Sequence, residues 1–256
     1  MDIQEFDYLM TNRGWARFPG IVDKHLVEEI CAELDNAVEK VNAIRQAKGL
    51  QQNTDGIAHH LIGMGKSFDK LFINCPLLSF IEHALGGSCI LNSYSGSTNP
   101  PGKNIYTRNV HRDIRGYFDG MLMINMIVLL EDATAENGAT LLLEGSHHIA
   151  DKPDAELFSR HAARLTGQAG DVILFDSKAW HAAGENTSQT TRKILTLTFT
   201  RPYFKPQFDY VRSIGEETAR NLPPKAKQLI GFYARIPATH DEWYRESSDR
   251  FYQAEI

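Results

Sequence analysis

With 256 residues, 42% hydrophobic and 23% charged, the chain has enough apolar material for one substantial core and reads as an ordinary globular protein. Its net charge of −5 argues against nucleic acid or an anionic membrane as the main partner, because both require a basic surface. Cys31, Cys75 and Cys89 are too few and too scattered for a disulfide framework or a thiolate metal site, which points to a reducing, cytoplasmic setting. The acidic start Met1-Asp2-Ile3-Gln4-Glu5 has no apolar signal core, and the apolar run Met121 to Leu130, broken by Asn125, is too short to span a bilayer.

In chain order, Asp23 is placed to cap a helix running to about Lys48, with Leu26, Ile30, Leu34, Val38, Val41 and Ile44 on one stripe and Gly49 as its stop. A second helix is expected between Ser67 and Leu85, interrupted by Pro76 and closed by Gly86-Gly87. The pattern then changes to strands: Cys89–Ser95, Asn104–His111, Met121–Leu130, Thr140–Leu143, Asp171–Phe175, Trp180–Ala183 and Lys193–Thr200. A last helix is expected from Glu216 to Ile230. Helices followed by about seven strands with Gly/Asn turns indicate an α+β fold with a barrel-like antiparallel core.

The most informative residues are His111, Arg112 and Asp113. On a strand, alternate side chains share a face, so His111 and Asp113 would project together, their Cα atoms roughly 6.6 Å apart. An imidazole and a carboxylate so placed can grip one metal ion, and a second imidazole would complete a two-His-one-carboxylate facial set with open positions for other ligands. His181, after the strand ending in Phe175, is the candidate for that second imidazole. Arg192 follows it beyond the turn-forming run Gly184-Glu185-Asn186-Thr187-Ser188 and opens a strand that alternates apolar and polar residues as a half-buried strand does. A hairpin there would return Arg192 to the side of His181, where a guanidinium can take a carboxylate in bidentate fashion.

The ordered set His111-x-Asp113, His181, Arg192 resembles the phytanoyl-CoA dioxygenase-like branch of the Fe(II)/2-oxoglutarate oxygenases. So do Gly14-Trp15-Ala16-Arg17-Phe18-Pro19-Gly20 before the first long helix, Glu136-Asn137-Gly138-Ala139-Thr140 leading to Glu144-Gly145-Ser146-His147, and Gly170-Asp171-Val172-Ile173-Leu174-Phe175. The resemblance covers nearly the whole chain. It implies a double-stranded β-helix, or jelly roll, as one domain: N-terminal helices at about 22–86, the core at about 89–201 and a C-terminal cover at about 202–256. It implies Fe(II) held by His111, Asp113 and His181, with 2-oxoglutarate as cosubstrate, dioxygen as oxidant and Arg192 on the far carboxylate. Succinate and carbon dioxide would be released as a small molecule is hydroxylated. Relatives place Ser or Thr two residues after the distal His, where this chain has Ala183. Thr140 is the candidate for the missing hydroxyl, and Asn109 matches the place where relatives set an amide near the 2-oxoacid end. Asp113 itself separates the chain from related halogenases, which carry Gly or Ala there.

Strand parity opposite to that of His111 would turn Tyr106 and Arg108 outward, and Trp180 likewise alternates with His181. Arg112, between two ligands, is read as structural, and His147-His148 as part of a loop. His59-His60 is read as a possible contributor to the pocket entrance, and Pro202 to Phe208 as packing over the barrel or as a lid. Two other classes fit parts of the pattern: a silent cupin-like binding or sensor protein, and a zinc or manganese enzyme on a similar barrel. Within the oxygenase class an acyl-CoA substrate, desaturation and epimerisation stay open, as does the oligomeric state.

Overall fold

The computed structural model describes residues 1–50, 56–103, 105–116 and 118–251. Helix α1 (Ile3–Asn12), unanticipated in the sequence, is capped by the Asp2 carboxylate, which accepts the Glu5 N–H at 2.8 Å. It leads into the short strand β1 (Trp15–Phe18). Helix α2 (Lys24–Ala47) begins as expected, with Asp23 accepting the Leu26 N–H at 3.0 Å. Its stripe is buried through Leu26, Ile30 and Leu34, but Val38 and Val41 are only partly covered and Ile44 is 48% exposed. The last turns of α2, from about Ile44, therefore overrun the core. The second expected helix is two, α3 (Lys66–Ile73) and α4 (Leu78–Leu85), separated at Pro76.

The remaining strands are β2 (Ile57–His59), β3 (Ile90–Asn99), β4 (Met123–Leu129), β5 (Leu141–Leu143), β6 (Ala162–Arg164), β7 (Val172–Asp176), β8 (His181–Ala182) and β9 (Arg192–Thr200), with helix α5 (Ala155–His161) before β6. They form two antiparallel sheets, a six-stranded one ordered β1-β7-β4-β9-β3-β2 and a three-stranded one ordered β6-β5-β8. This is the jelly-roll arrangement expected for the core. Strand β4 shows why its sequence is almost continuously apolar. Ile124, Met126 and Val128 pack toward the helices, while Ile127 and Leu129 face the small sheet and meet Leu142 of β5. On β9, Leu195, Leu197 and Phe199 likewise face the helices. The opposite face, with Arg192, Ile194, Thr196 and Thr198, turns into the space between the sheets. The polar half of that alternation marks an internal cavity rather than a solvent-facing surface.

Three expectations need correction. Asn104–His111 is not a strand: Asn104 lies outside the described residues, Tyr106–Arg108 is a 3-10 turn, and pairing resumes only as a bridge between His111 and His181. The run Glu216–Ile230 is broken by Pro223 and Pro224 into α7 (Glu216–Arg220) and α8 (Pro224–Leu229), preceded by α6 (Tyr210–Ile214). Finally, β8 and β9 are not a hairpin. They lie in different sheets, and the turn-rich segment between them carries the chain across the barrel mouth. The C-terminal part also carries the short helix α9 (His240–Trp243), followed by a 3-10 turn at Ser247–Asp249. No helix among the described residues is long and apolar enough to cross a membrane.

Candidate metal centre

His111, Asp113 and His181 offer three ligand atoms all within 4.8 Å of one another. The main chain sets this up. The His111 N–H donates to the His181 carbonyl at 3.0 Å and the His181 N–H returns to the His111 carbonyl at 2.9 Å, the reciprocal pairing of an antiparallel bridge. The Asp113 N–H donates to the Ser177 carbonyl at 3.1 Å, so the segment stays pinned to the one leading into β8 although it is not a regular strand.

Each ring is then oriented by its own backbone. His111 Nδ1 lies 2.7 Å from the Asn109 carbonyl, and His181 Nδ1 lies 3.0 Å from the Ala179 carbonyl. A carbonyl only accepts, so Nδ1 of each neutral ring carries the proton and Nε2 keeps its lone pair. The two Nε2 atoms lie 3.7 Å from opposite oxygens of Asp113, beyond hydrogen-bonding contact but close enough for one ion to join all three side chains. Burial, reinforced by the neighbouring His111, lowers the pKa of His181 and so holds it neutral, the form that binds a metal; Asp113 opposes this. Two imidazoles and a carboxylate are the donor set of non-haem ferrous sites.

Asp113 has a further support that sequence reading missed. The fully buried Asn125 donates its amide to Asp113 Oδ2 at 2.7 Å and accepts the Thr198 hydroxyl at 2.7 Å. Because the Thr198 hydroxyl occupies the amide oxygen, the amide nitrogen is aimed at the carboxylate. The signal was present in the sequence: Asn125 is the polar interruption of the apolar run on β4.

The triad opens onto a cavity of about 150 Å³ whose wall also includes Asn99, Thr140, Phe175, Ala183, Arg192 and Thr196. Arg192 is 2% exposed, and its Nε and Nη1 have no hydrogen-bond partner. Desolvation drops its pKa to about 10, opposed by Glu131, so the guanidinium remains charged at neutral pH. A buried charge with open donors facing a cavity is an anion-binding feature, since leaving such donors unpaired is costly. Thr140 is buried on this wall and Ala183 brings no hydroxyl to it, as the sequence implied. Asn109 is placed differently from its expected role: its carbonyl holds His111, and its exposed side chain is not on the cavity wall. Tyr106, expected to face outward, lines the cavity, because in a 3-10 turn strand parity does not apply. Arg108 instead pairs with Glu185 at 3.1 Å. Arg112 lies over the buried Trp180 ring at 4.8 Å, a packing contact that suits the structural role read for it.

The phytanoyl-CoA dioxygenase family model matches residues 12–194. The chain is 34% identical over 189 residues to an uncharacterized protein of Mycobacterium tuberculosis, Rv1501, covering 71% of this chain and 69% of that one. It is 24% identical to Dioxygenase af480 of Aspergillus fumigatus, covering 90% and 77% of the two chains. Among solved structures, the epimerase SnoN in complex with Fe3+, alpha ketoglutarate and nogalamycin RO superposes with a TM-score of 0.60 at 15% identity, covering 80% of this chain and 86% of that one. The last likeness shows the shared fold, a double-stranded β-helix.

Proposed function

The chain belongs to the phytanoyl-CoA dioxygenase family of iron(II)- and 2-oxoglutarate-dependent enzymes, and we propose that it hydroxylates an unactivated C–H bond of a small molecule. The overall reaction balances as substrate C–H, dioxygen and 2-oxoglutarate giving substrate C–OH, succinate and carbon dioxide. The observation that carries this reading is the buried Arg192, with its Nε and Nη1 donors open, in the same cavity as the triad. A metal hydrolase or isomerase has no use for a desolvated guanidinium there, whereas a dicarboxylate cosubstrate supplies its missing acceptors.

The residues present fit the group. His111, Asp113 and His181 would hold iron(II) through the two Nε2 atoms and the carboxylate, with Nδ1 of both rings already engaged. When bound, the iron supplies the activation of dioxygen and the oxidising power that breaks the C–H bond. Arg192 binds the far carboxylate of the cosubstrate and so fixes its direction in the cavity. Thr140 takes the hydroxyl role that Ala183 leaves open. Ile127, Phe175 and Ile194 form the apolar side of the wall and limit water near the reacting atoms.

The test is succinate release from 2-oxoglutarate in air with added Fe(II), together with ¹⁸O₂ labelling of the product once a substrate is found. Iron-dependent succinate that disappears in Asp113→Ala, and one labelled oxygen in the product, are the expected results. Folded, iron-loaded protein that neither binds 2-oxoglutarate at the iron site nor releases succinate with any candidate substrate overturns the oxygenase reading. Product without label removes hydroxylation in favour of desaturation or epimerisation.

A further inference from the structure

The metal cavity is small. Its 150 Å³ corresponds to roughly ten water-sized positions, the size of the dicarboxylate cosubstrate and little more. A substrate must therefore enter from an adjoining space. One exists: a second chamber of about 620 Å³ lies between the C-terminal half of α2, the segment after β2, the end of α3 and helices α6 and α7. His59 lines both spaces.

Three features unexplained by stability converge on this chamber. The apolar stripe of α2 continues through Val41, at the edge of the core, to Ile44, which lies beyond it, and both line the chamber wall. His60 has φ of 62°, one of only two non-glycine residues among the described residues with positive φ. It is held there by two N–H donors, its own and that of Leu61, converging on the Tyr94 carbonyl at 2.6 and 3.1 Å. From this strained backbone the His60 ring stacks flat on Phe208, with centroids 4.4 Å and planes 7° apart, and Nδ1 sits 3.3 Å from the Tyr210 hydroxyl. The stack joins the segment after β2 to the C-terminal cover and completes a predominantly apolar wall with Ile62, Phe72 and Ile214. The chamber falls within the size range of sites that bury a whole drug-sized molecule.

Resting on the oxygenase reading above, we propose that this chamber holds the primary substrate, a predominantly apolar molecule with a hydroxyl or carbonyl oxygen near its reacting carbon. Its body lies against Val41, Ile44, Phe72 and Ile214, and its reacting end passes His59 into the metal cavity. His59 is the hydrogen-bonding partner of that oxygen. Burial and the nearby Arg45 lower its pKa, so its ring stays neutral and can donate or accept. A polycharged substrate is disfavoured, since most of this wall offers nothing to replace its hydration.

The test uses N-phenyl-1-naphthylamine, an uncharged apolar fluorophore with one N–H, titrated into the full-length protein. Variants Ile214→Trp and Thr218→Trp fill the chamber from α6 and from the exposed wall position on α7. Thermal melting reports their folding, and the anaerobic visible band of the Fe(II)·2-oxoglutarate complex reports the metal cavity separately. Saturable fluorescence enhancement in the wild type, weakened about tenfold or more in both variants while melting temperature and band persist, is the expected result. No saturable enhancement, or equal binding by wild type and both folded variants, overturns the chamber assignment even where the band is intact. Absence of the band with probe binding intact sinks the oxygenase reading instead, and with it the identity of the occupant as its substrate.

Discussion

Replacing Asn125 by Leu conserves size and removes one hydrogen bond to the Asp113 carboxylate. A bond to a charged acceptor contributes about 1.5–3 kcal/mol, which as an equilibrium factor is about 10- to 150-fold. Part of it also exists in the metal-free protein and cancels, so iron(II) affinity should fall by about 10- to 50-fold, within the range of outer-shell substitutions at metal sites. Thr198→Val leaves the Asn125 amide in place but frees it to rotate, and should cost about threefold. Together the substitutions should be clearly less than additive, because the Thr198 hydroxyl acts only through Asn125. The assay is anaerobic competition for Fe(II) against a chelator of known affinity, with thermal melting as the folding control. Asn125→Leu binding iron within about twofold of wild type, or an additive double variant, would refute the relay from Thr198 through Asn125 to Asp113.

Arg192→Leu should act in opposite directions on two readouts: a higher melting temperature without ligand, because a desolvated charge with two open donors is removed, and 2-oxoglutarate binding weaker by about 100-fold or more. Calorimetric titration beside thermal melting checks both, and unchanged cosubstrate affinity would detach Arg192 from the far carboxylate. Ala183→Ser restores a hydroxyl to the cavity wall and should tighten 2-oxoglutarate binding by about 3- to 10-fold, while Thr140→Val should loosen it by a similar factor. No change in either titration would remove both positions from the cosubstrate site. His60 and His147 are each held at about 4 by burial, against an ordinary 6.5. The unfolded chain therefore binds more protons in that window, so stability is full above about pH 6.5 and is lost as pH falls toward 4. Melting temperature measured from pH 8 to 4 should drop most below 6.5, with a shallower slope in His60→Gln; an unaltered slope would show that His60 titrates as an ordinary exposed ring.

The sequence carried the site further than the fold around it. His111, Asp113, His181 and Arg192 stood out because their residue types and order suit one ion and one dicarboxylate, a chemical constraint that survives local misreading. Within the expected strand Asn104–His111, Tyr106–Arg108 is a 3-10 turn and pairing is a single bridge, yet His111 and Asp113 still share a side because His111 is pinned to His181 of β8 and Asp113 to Ser177 just before it. Periodicity found β4, β7 and β9 because each packs on a core face, whereas β1 and β2, short strands at the two edges of the large sheet, were not anticipated. The break at Pro223–Pro224 is readable from propensity alone, since proline stops a helix, although the expected helix Glu216–Ile230 ran through it. Asn125 was hidden for a different reason. A lone polar residue in an apolar run acquires meaning only when the fold shows that its donor meets Asp113 and its acceptor meets Thr198.

The most direct measurement is the visible absorption of purified, metal-free protein, titrated without oxygen first with Fe(II) and then with 2-oxoglutarate, beside Asp113→Ala and Arg192→Ala. The account predicts a weak charge-transfer band that needs both additions, is absent in Asp113→Ala, and requires much more 2-oxoglutarate in Arg192→Ala. A folded wild-type protein that binds iron but shows no band on adding 2-oxoglutarate, or a band equally strong in Asp113→Ala, would contradict the assignment of this cavity.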